Sequence, residues 1–208
     1  MKKFLILTAF LVLQISTVFA SVEKHIDKQI NYTMEYPIVY TKNQAAQDKI
    51  NQDIYKYIAA FRNDYNAGKF YDGNFSYQLK FENEKYISLT IKDDRYRLRA
   101  AHNSYRVYGL VYDKNSGKKV PLSNFLKVTV EDIRFTYFKF GFYNESGTEN
   151  EYKYSAPDKI SEDYYLLGNG GIALIYQPYE IASFADGATT IRLTAEQVDY
   201  FNRKNKHL

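Results

Sequence analysis

The sequence predicts an α+β fold in which antiparallel sheets carry packed helices, arranged as one domain or as two closely associated subdomains. Three observations lead there. Apolar residues recur at helical spacing over one long segment, residues 43–67. Short runs rich in aromatic and β-branched residues alternate with polar ones. Turn chemistry separates those runs, at residues 113–117 and again at 168–171.

The chain opens with Met1-Lys2-Lys3, a mostly apolar run from Phe4 to Leu13, a polar break at Gln14 and small residues around Ala20. This is the three-part pattern of a secretory signal, with Val18 and Ala20 placed for cleavage before Ser21. The apolar run is too short for a spanning helix, which needs about 20 residues. Residues 21–208 are therefore expected to be exported and soluble, in the periplasm or outside the cell.

From Gln29 to Tyr40 β-formers alternate, and Pro37 assigns part of that strand to an edge or a bulge. The helix follows. Ile50, Ile54, Tyr57, Ile58, Phe61 and Tyr65 fall at spacings of three and four, Thr41 or Asn43 can cap its start, and Gly68 can end it. Its polar face carries Asp48, Gln52 and Lys56, so its apolar stripe should pack on the sheet that follows.

Three antiparallel strands are expected at Phe75–Phe81, Tyr86–Arg95 and Tyr105–Tyr112. Alternation in the first sets Tyr77, Leu79 and Phe81 against Ser76, Gln78 and Lys80. Asp113-Lys114-Asn115-Ser116-Gly117 reads as a turn before a short return at Lys119–Pro121. Ser123 and Thr129 are candidate helix caps, with Glu131 and Asp132 in a favourable first turn. The next residues are read as helix to about Phe138, although their aromatic composition favours a strand. The polar stretch from Asn144 to Pro157 is expected to be a mobile loop or a boundary. A hairpin follows, Tyr164–Leu167 and Ile172–Gln177 joined through Gly168-Asn169-Gly170-Gly171. Thr189–Leu193 reads as a last strand, and Thr194 with Gln197 forms a capping box for a helix through Phe201.

Composition narrows the function classes. The absence of cysteine excludes disulfides, Cys-ligated zinc and an acylated amino-terminal cysteine. The formal charge of +4 falls to about +2 without Lys2 and Lys3, too weak a field to call for nucleic acid. The chain holds 22 Tyr and 14 Phe but no Trp, which suits either a Tyr-rich sheet or an aromatic binding face.

Catalytic signals are sparse. His25, His102 and His207 show no metal-ligand spacing, so no metal or cofactor is expected. Asp93 and Asp94 are neighbours on a strand and point to opposite faces, which makes them poor acid–base partners. Asp113-x-Asn115-x-Gly117 lacks the ligands of a calcium loop. The glycines at 168–171 have no helix behind them to present amides to a phosphate.

Tyr164-Tyr165-Leu166, Gly171-Ile172-Ala173-Leu174-Ile175-Tyr176 and Pro178-Tyr179-Glu180-Ile181-Ala182 ending at Gly187 resemble the RsiV-like extracytoplasmic domain. Tyr36-Pro37, Lys49-Ile50-Asn51, Tyr86-Ile87-Ser88-Leu89 and Gly117-Lys118-Lys119-Val120 resemble the PdaC-type domain that usually precedes it. The resemblance implies a PdaC-type subdomain over residues 21–122, an RsiV-like subdomain over residues 123–208, and an envelope-facing binding role. It covers a lysozyme-sensing anti-sigma factor and domains beside peptidoglycan deacetylases, but no sigma-binding segment or deacetylase domain is expected here. Ser183-Phe184 also stands where the family more often has Pro before an aromatic.

The expected binding segment is Tyr179 to Gly187, with Tyr179, Glu180, Ser183, Phe184 and Gly187 as candidate residues. Alternatively, Tyr179 and Ile181 simply pack the core. The leading expectation is a non-enzymatic envelope protein that binds a cell-wall glycan or a protein, such as a lysozyme-type muramidase. Two rivals remain open: an envelope hydrolase or metal-dependent enzyme using Asp93, Glu180 or His102, and a structural periplasmic protein.

Overall fold

The computed structural model describes residues 21–150 and 155–208. The expected export signal, residues 1–20, lies outside them. The elements in order are β1 (Val22–Lys28), β2 (Tyr32–Val39), α1 (Gln44–Asn66), β3 (Asp72–Glu82), β4 (Tyr86–Tyr96), β5 (Ser104–Asp113), α2 (Val130–Phe140), β6 (Phe142–Tyr143), β7 (Glu149–Asn150), β8 (Tyr164–Leu166), β9 (Ile172–Tyr176), β10 (Thr189–Leu193) and α3 (Ala195–Lys204). They build two five-stranded sheets, ordered β1-β2-β3-β4-β5 and β7-β6-β10-β9-β8. All pairings are antiparallel except β2 with β3, which run parallel and are joined through α1. The chain is thus α+β, as its patterning predicts.

α1 starts where Asn43 accepts a hydrogen bond from the Ala46 amide, and it buries Ala46, Ile50, Ile54, Ile58 and Phe61. That stripe shares a core with Met34, Phe75, Ile87, Leu89, Ile91, Leu110 and Tyr112. Alternation along β4 and β5 sends Ser88, Thr90, Gly109 and Val111 to the opposite face, where β8 lies across them. The Leu166 amide donates to Ser88 Oγ at 3.0 Å. A β-carbon on Gly109 would come within 2.2 Å of the Tyr164 carbonyl oxygen, so only glycine allows this approach. β4 is therefore covered on both sides.

The second core joins Val111 and Val120 to Ile133 and Tyr137 of α2, Tyr164, Leu174 and Ile191 of the second sheet, and Val198 and Phe201 of α3. A capping box closes the start of α2 between Thr129 and Asp132, and another closes α3 between Thr194 and Gln197. Asp132 also accepts from Lys204 and, at 2.7 Å, from Asn205, so one carboxylate ties the start of α2 to the end of α3.

Several expectations are corrected. β1 has no counterpart in the predicted elements. Its apolar positions are interrupted by Glu23, Lys24 and Asp27, and pairing with β2 holds it in place. Ser123 caps no helix: it sits inside a 3₁₀ turn, Leu122–Asn124, that makes no side-chain cap bond. α2 runs on to Phe140, past the expected end. Phe81 does not share a face with Tyr77 and Leu79. A register shift between Leu79 and Phe81 turns Phe81 toward the second core, while Leu79 is left exposed. Residues 144–150, expected in a loop, instead contribute the turn and return strand of the β6–β7 hairpin. Pro37 sits beyond Met34, where β2 has parted from β3, which satisfies the edge requirement.

Candidate functional site

The segment after β9 is built around a tight turn. The Glu180 amide donates to the Gln177 carbonyl at 3.0 Å, with Pro178 and Tyr179 between them. Proline suits the second place of such a turn, and the third favours glycine because its φ is positive. Tyr179 occupies that third place at φ +71°. The residue is 66% exposed. The alternative that Tyr179 packs the core is therefore overturned, although Ile181 is buried as that alternative expects.

Around Tyr179 the fold gathers three more rings, Phe184 from the same segment and His102 and Tyr105 from a distant part of the sequence. His102, in the β4–β5 loop, stacks on Phe184 with centroids 4.0 Å apart and planes at 29°. Tyr105 meets Phe184 edge-on at 5.9 Å, and Tyr179 lies 5.7 Å from Phe184. His102 Nδ1 is 2.6 Å from the Asn103 carbonyl, so it carries the proton and donates. Nε2 is then free to accept from the Tyr179 hydroxyl at 3.4 Å. The result is a shelf of rings with polar groups at its rim.

Gln177 anchors the shelf to the first sheet. Its Nε2 donates to the Val107 carbonyl at 2.8 Å, and its Oε1 accepts from the Val107 amide at 2.9 Å. The outward amide and carbonyl of Val107, on the edge strand β5, are thereby both satisfied. Glu180 accepts from the Gln177 amide at 2.8 Å and from Lys159 at 2.6 Å, so it braces the turn. Ser183 donates to Asp186 Oδ2 at 2.6 Å, which shapes the short turn carrying Phe184. A β-carbon at Gly187 would meet Glu145 Oε2 at 2.4 Å and the Tyr105 hydroxyl at 2.8 Å. Of the five candidate residues, Tyr179 and Phe184 present rings and the other three hold the segment in shape.

Glu145 and Tyr105 form the shelf's inner wall. Tyr105 donates to Glu145 Oε2 at 2.6 Å and accepts from the Ala188 amide at 3.0 Å. Lys92 pairs with the other Glu145 oxygen and lies 4.0 Å above the Tyr105 ring. Burial pushes the Glu145 carboxyl upward, but the bonds from Lys92 and Tyr105 outweigh it and hold the group below the usual carboxylate value. Burial and the Glu145 bond hold the Tyr105 phenol well above the tyrosine range. A cavity of about 430 Å³ runs along this wall, lined by Asn103, Tyr105, Glu145, Phe184, Asp186 and Gly187 among others.

The other sequence candidates are not brought together. Asp93 is buried and accepts from Arg95 at 2.6 Å through both oxygens, an arrangement that ties β4 to Asp64 of α1. Glu180 is occupied as a brace. Among the described residues, no group of three or more His, Cys, Asp or Glu could hold a metal ion, and no helix is long and apolar enough to cross a membrane.

Residues 114–196 match the family model DUF3298, a protein family of unknown function. The DUF3298 segment begins in the turn after β5 and contains the Tyr179–Gly187 stretch, whereas His102 and Tyr105 precede it. No curated protein matches the chain in sequence. Solved structures share its fold, two of them DUF3298 proteins. One, a DUF3298 family member from Bacteroides fragilis, is 15% identical, with a TM-score of 0.56 over 86% of this chain and 91% of that one. The other, a DUF3298 family protein from Pseudomonas aeruginosa PAO1, is 9% identical, with a TM-score of 0.59 over 86% of this chain and 90% of that one. At these identities the likeness concerns the fold alone.

His102, Tyr105 and Glu145 belong to the shelf but were not assigned to a common site from the sequence. Their contacts span tens of residues, and no local spacing marks them. One usable signal exists, a tyrosine directly after Pro178 at a turn position that favours glycine.

Proposed function

We propose that the chain is an exported, non-catalytic binding protein of the cell envelope, and that its ring shelf docks a cell-wall glycan. The observation that carries this reading is Tyr179. A large ring is held exposed at a strained backbone position, beside a stacked His102–Phe184 pair. Rings of this kind cover the apolar C–H faces of sugars, while Asn103, Glu145 and Asp186 in the adjoining cavity offer amide and carboxylate partners to hydroxyls. The export pattern of residues 1–20 supports an envelope setting. The resemblance to RsiV-like domains supports a second occupant of the same shelf, a lysozyme-type muramidase.

The test is retention on purified peptidoglycan and on immobilised lysozyme at low salt, with wild-type protein and Tyr179→Ala. Retention on peptidoglycan that weakens about tenfold in the variant supports the glycan reading, a change worth about 1.4 kcal/mol. Retention on lysozyme alone transfers the shelf to the muramidase. Loss of both overturns the proposal.

A further inference from the structure

A second cavity, of about 340 Å³, opens between the two sheets on the other side of Glu145. Three cations line it: Lys80 from β3, Lys92 from β4 and Arg192 from β10. Lys92 is matched by Glu145. Lys80 and Arg192 have no carboxylate partner among the described residues. Lys80 donates to Gln78 at 2.5 Å and lies 5.0 Å over the Tyr165 ring. Arg192 lies 3.9 Å over the Tyr143 ring, and its Nε is buried with no hydrogen-bond acceptor. The Thr190 hydroxyl, on a residue only 9% exposed, is likewise buried and unpartnered. Thr190 and Arg192 lie two apart on β10 and so point to the same face, which lines this cavity, while Ile191 and Leu193 point into the second core.

Leaving two like charges and two polar atoms unsatisfied in one half-buried place is costly, and a fold gains nothing from it unless something completes the set. Burial and the nearby Arg192 charge hold the Lys80 ammonium below the usual lysine value, the shift that an added anion reverses. Access is also provided. The β6–β7 turn passes the guanidinium at Gly147, where a β-carbon would sit 3.8 Å from Arg192 Nη2, so no side chain covers the fork at that point. A guanidinium fork with a hydroxyl donor beside it matches the oxygens of a carboxylate or a phosphate.

We propose that this cleft binds a small oxyanion group, with Arg192 and Lys80 as its charged ligands and the Thr190 hydroxyl as a further donor. The volume admits a single sugar-sized acid, since ligand cavities start at about 300 Å³. The proposal is independent of the ring shelf.

The experiment follows the Arg192 Nε–H and the Gly147 amide by ¹H–¹⁵N NMR on the exported chain, residues 21–208. Inorganic phosphate, glucuronate and, at matched ionic strength, chloride and neutral glucose are titrated in turn. Saturable shifts are expected with phosphate, glucuronate or both, and which of them binds more tightly distinguishes a phosphate source from a carboxylate one. Chloride and glucose are expected to give none. Arg192→Gln and Lys80→Gln each weaken binding about tenfold or more. The Lys80 variant, on the other sheet, decides the matter if the Arg192 variant does not fold. No saturable shift with either anion, an equal response to chloride, or unchanged affinity in a folded variant overturns the proposal. Because no glycan polymer is used, the outcome is separate from that of the peptidoglycan test.

Discussion

Tyr179 shows how one residue can serve two opposed requirements. Its φ of +71° costs a side-chain-bearing residue about 1 kcal/mol relative to glycine, and the ring recovers little by burial because it is largely exposed. Tyr179→Gly is therefore expected to raise the urea midpoint, by up to about 1 kcal/mol in stability, while abolishing retention on peptidoglycan. A stabilised variant that still binds would remove Tyr179 from the site. Tyr112 makes a different point. Burial and the adjacent Asp53, which accepts from its hydroxyl at 2.8 Å, hold its phenol far above the tyrosine range. Tyr105, Tyr164 and Tyr176 are shifted the same way. A phenol whose folded value is raised contributes stability that is complete below the unfolded value, about 10, and is lost as pH rises beyond it. The urea midpoint should thus fall steeply above about pH 10, and Tyr112→Phe should flatten that fall at a cost near 1 kcal/mol at neutral pH.

At the scale of elements, the start of α2 depends on Asp132, which closes the capping box and receives Lys204 and Asn205. The bonds from Lys204, Thr129 and Asn205 outweigh burial and hold its carboxyl below the ordinary value, so the stability it provides is present above about pH 4 and is lost as pH falls through the folded value. Asp132→Ala should destabilise by about 1–2 kcal/mol at pH 7 and by much less at pH 2, read from urea midpoints at the two pH values. The helices were legible because caps and apolar stripes are local: Asn43, Thr129 and Thr194 all lie next to the residues they bond. β1 was not, since its place depends on pairing with β2 and on no stripe of its own. β4 alternates Ile87, Leu89 and Ile91 with Ser88 and Thr90, but that pattern holds no sign that Ser88 and Thr90 face a second sheet rather than water. Phe81 misled because a bulge changes which face a residue occupies, and spacing in sequence carries no record of it. The site was half legible in the same way. Tyr179 and Phe184 lie in one short segment, whereas His102, Tyr105 and Glu145 reach it only through tertiary packing.

For the molecule as a whole, the decisive contact is between sheets. Leu110 and Tyr112 belong to the core under α1, while Val111 between them belongs to the core under α2 and α3. One strand thus supplies both cores, and neither can be lost without exposing the other face of β5. Heat or urea should therefore unfold residues 21–208 in a single transition, coincident by tyrosine fluorescence and far-ultraviolet circular dichroism. Gly109 sits at the crossing, where a β-carbon would collide with the Tyr164 backbone and the Gly109 amide bonds Asp163 Oδ1 at 3.1 Å. Gly109→Ala must push β8 away from the first sheet, and rigid backbone on the far side leaves no flexible side chain to yield. The expected cost is about 3 kcal/mol or more, above the 1–3 kcal/mol typical of overpacking. Two separated transitions in this variant would mean that the sheets fold independently once parted. A shift of less than about 0.5 kcal/mol would show that the approach of β8 to Gly109 is not what holds the two layers together.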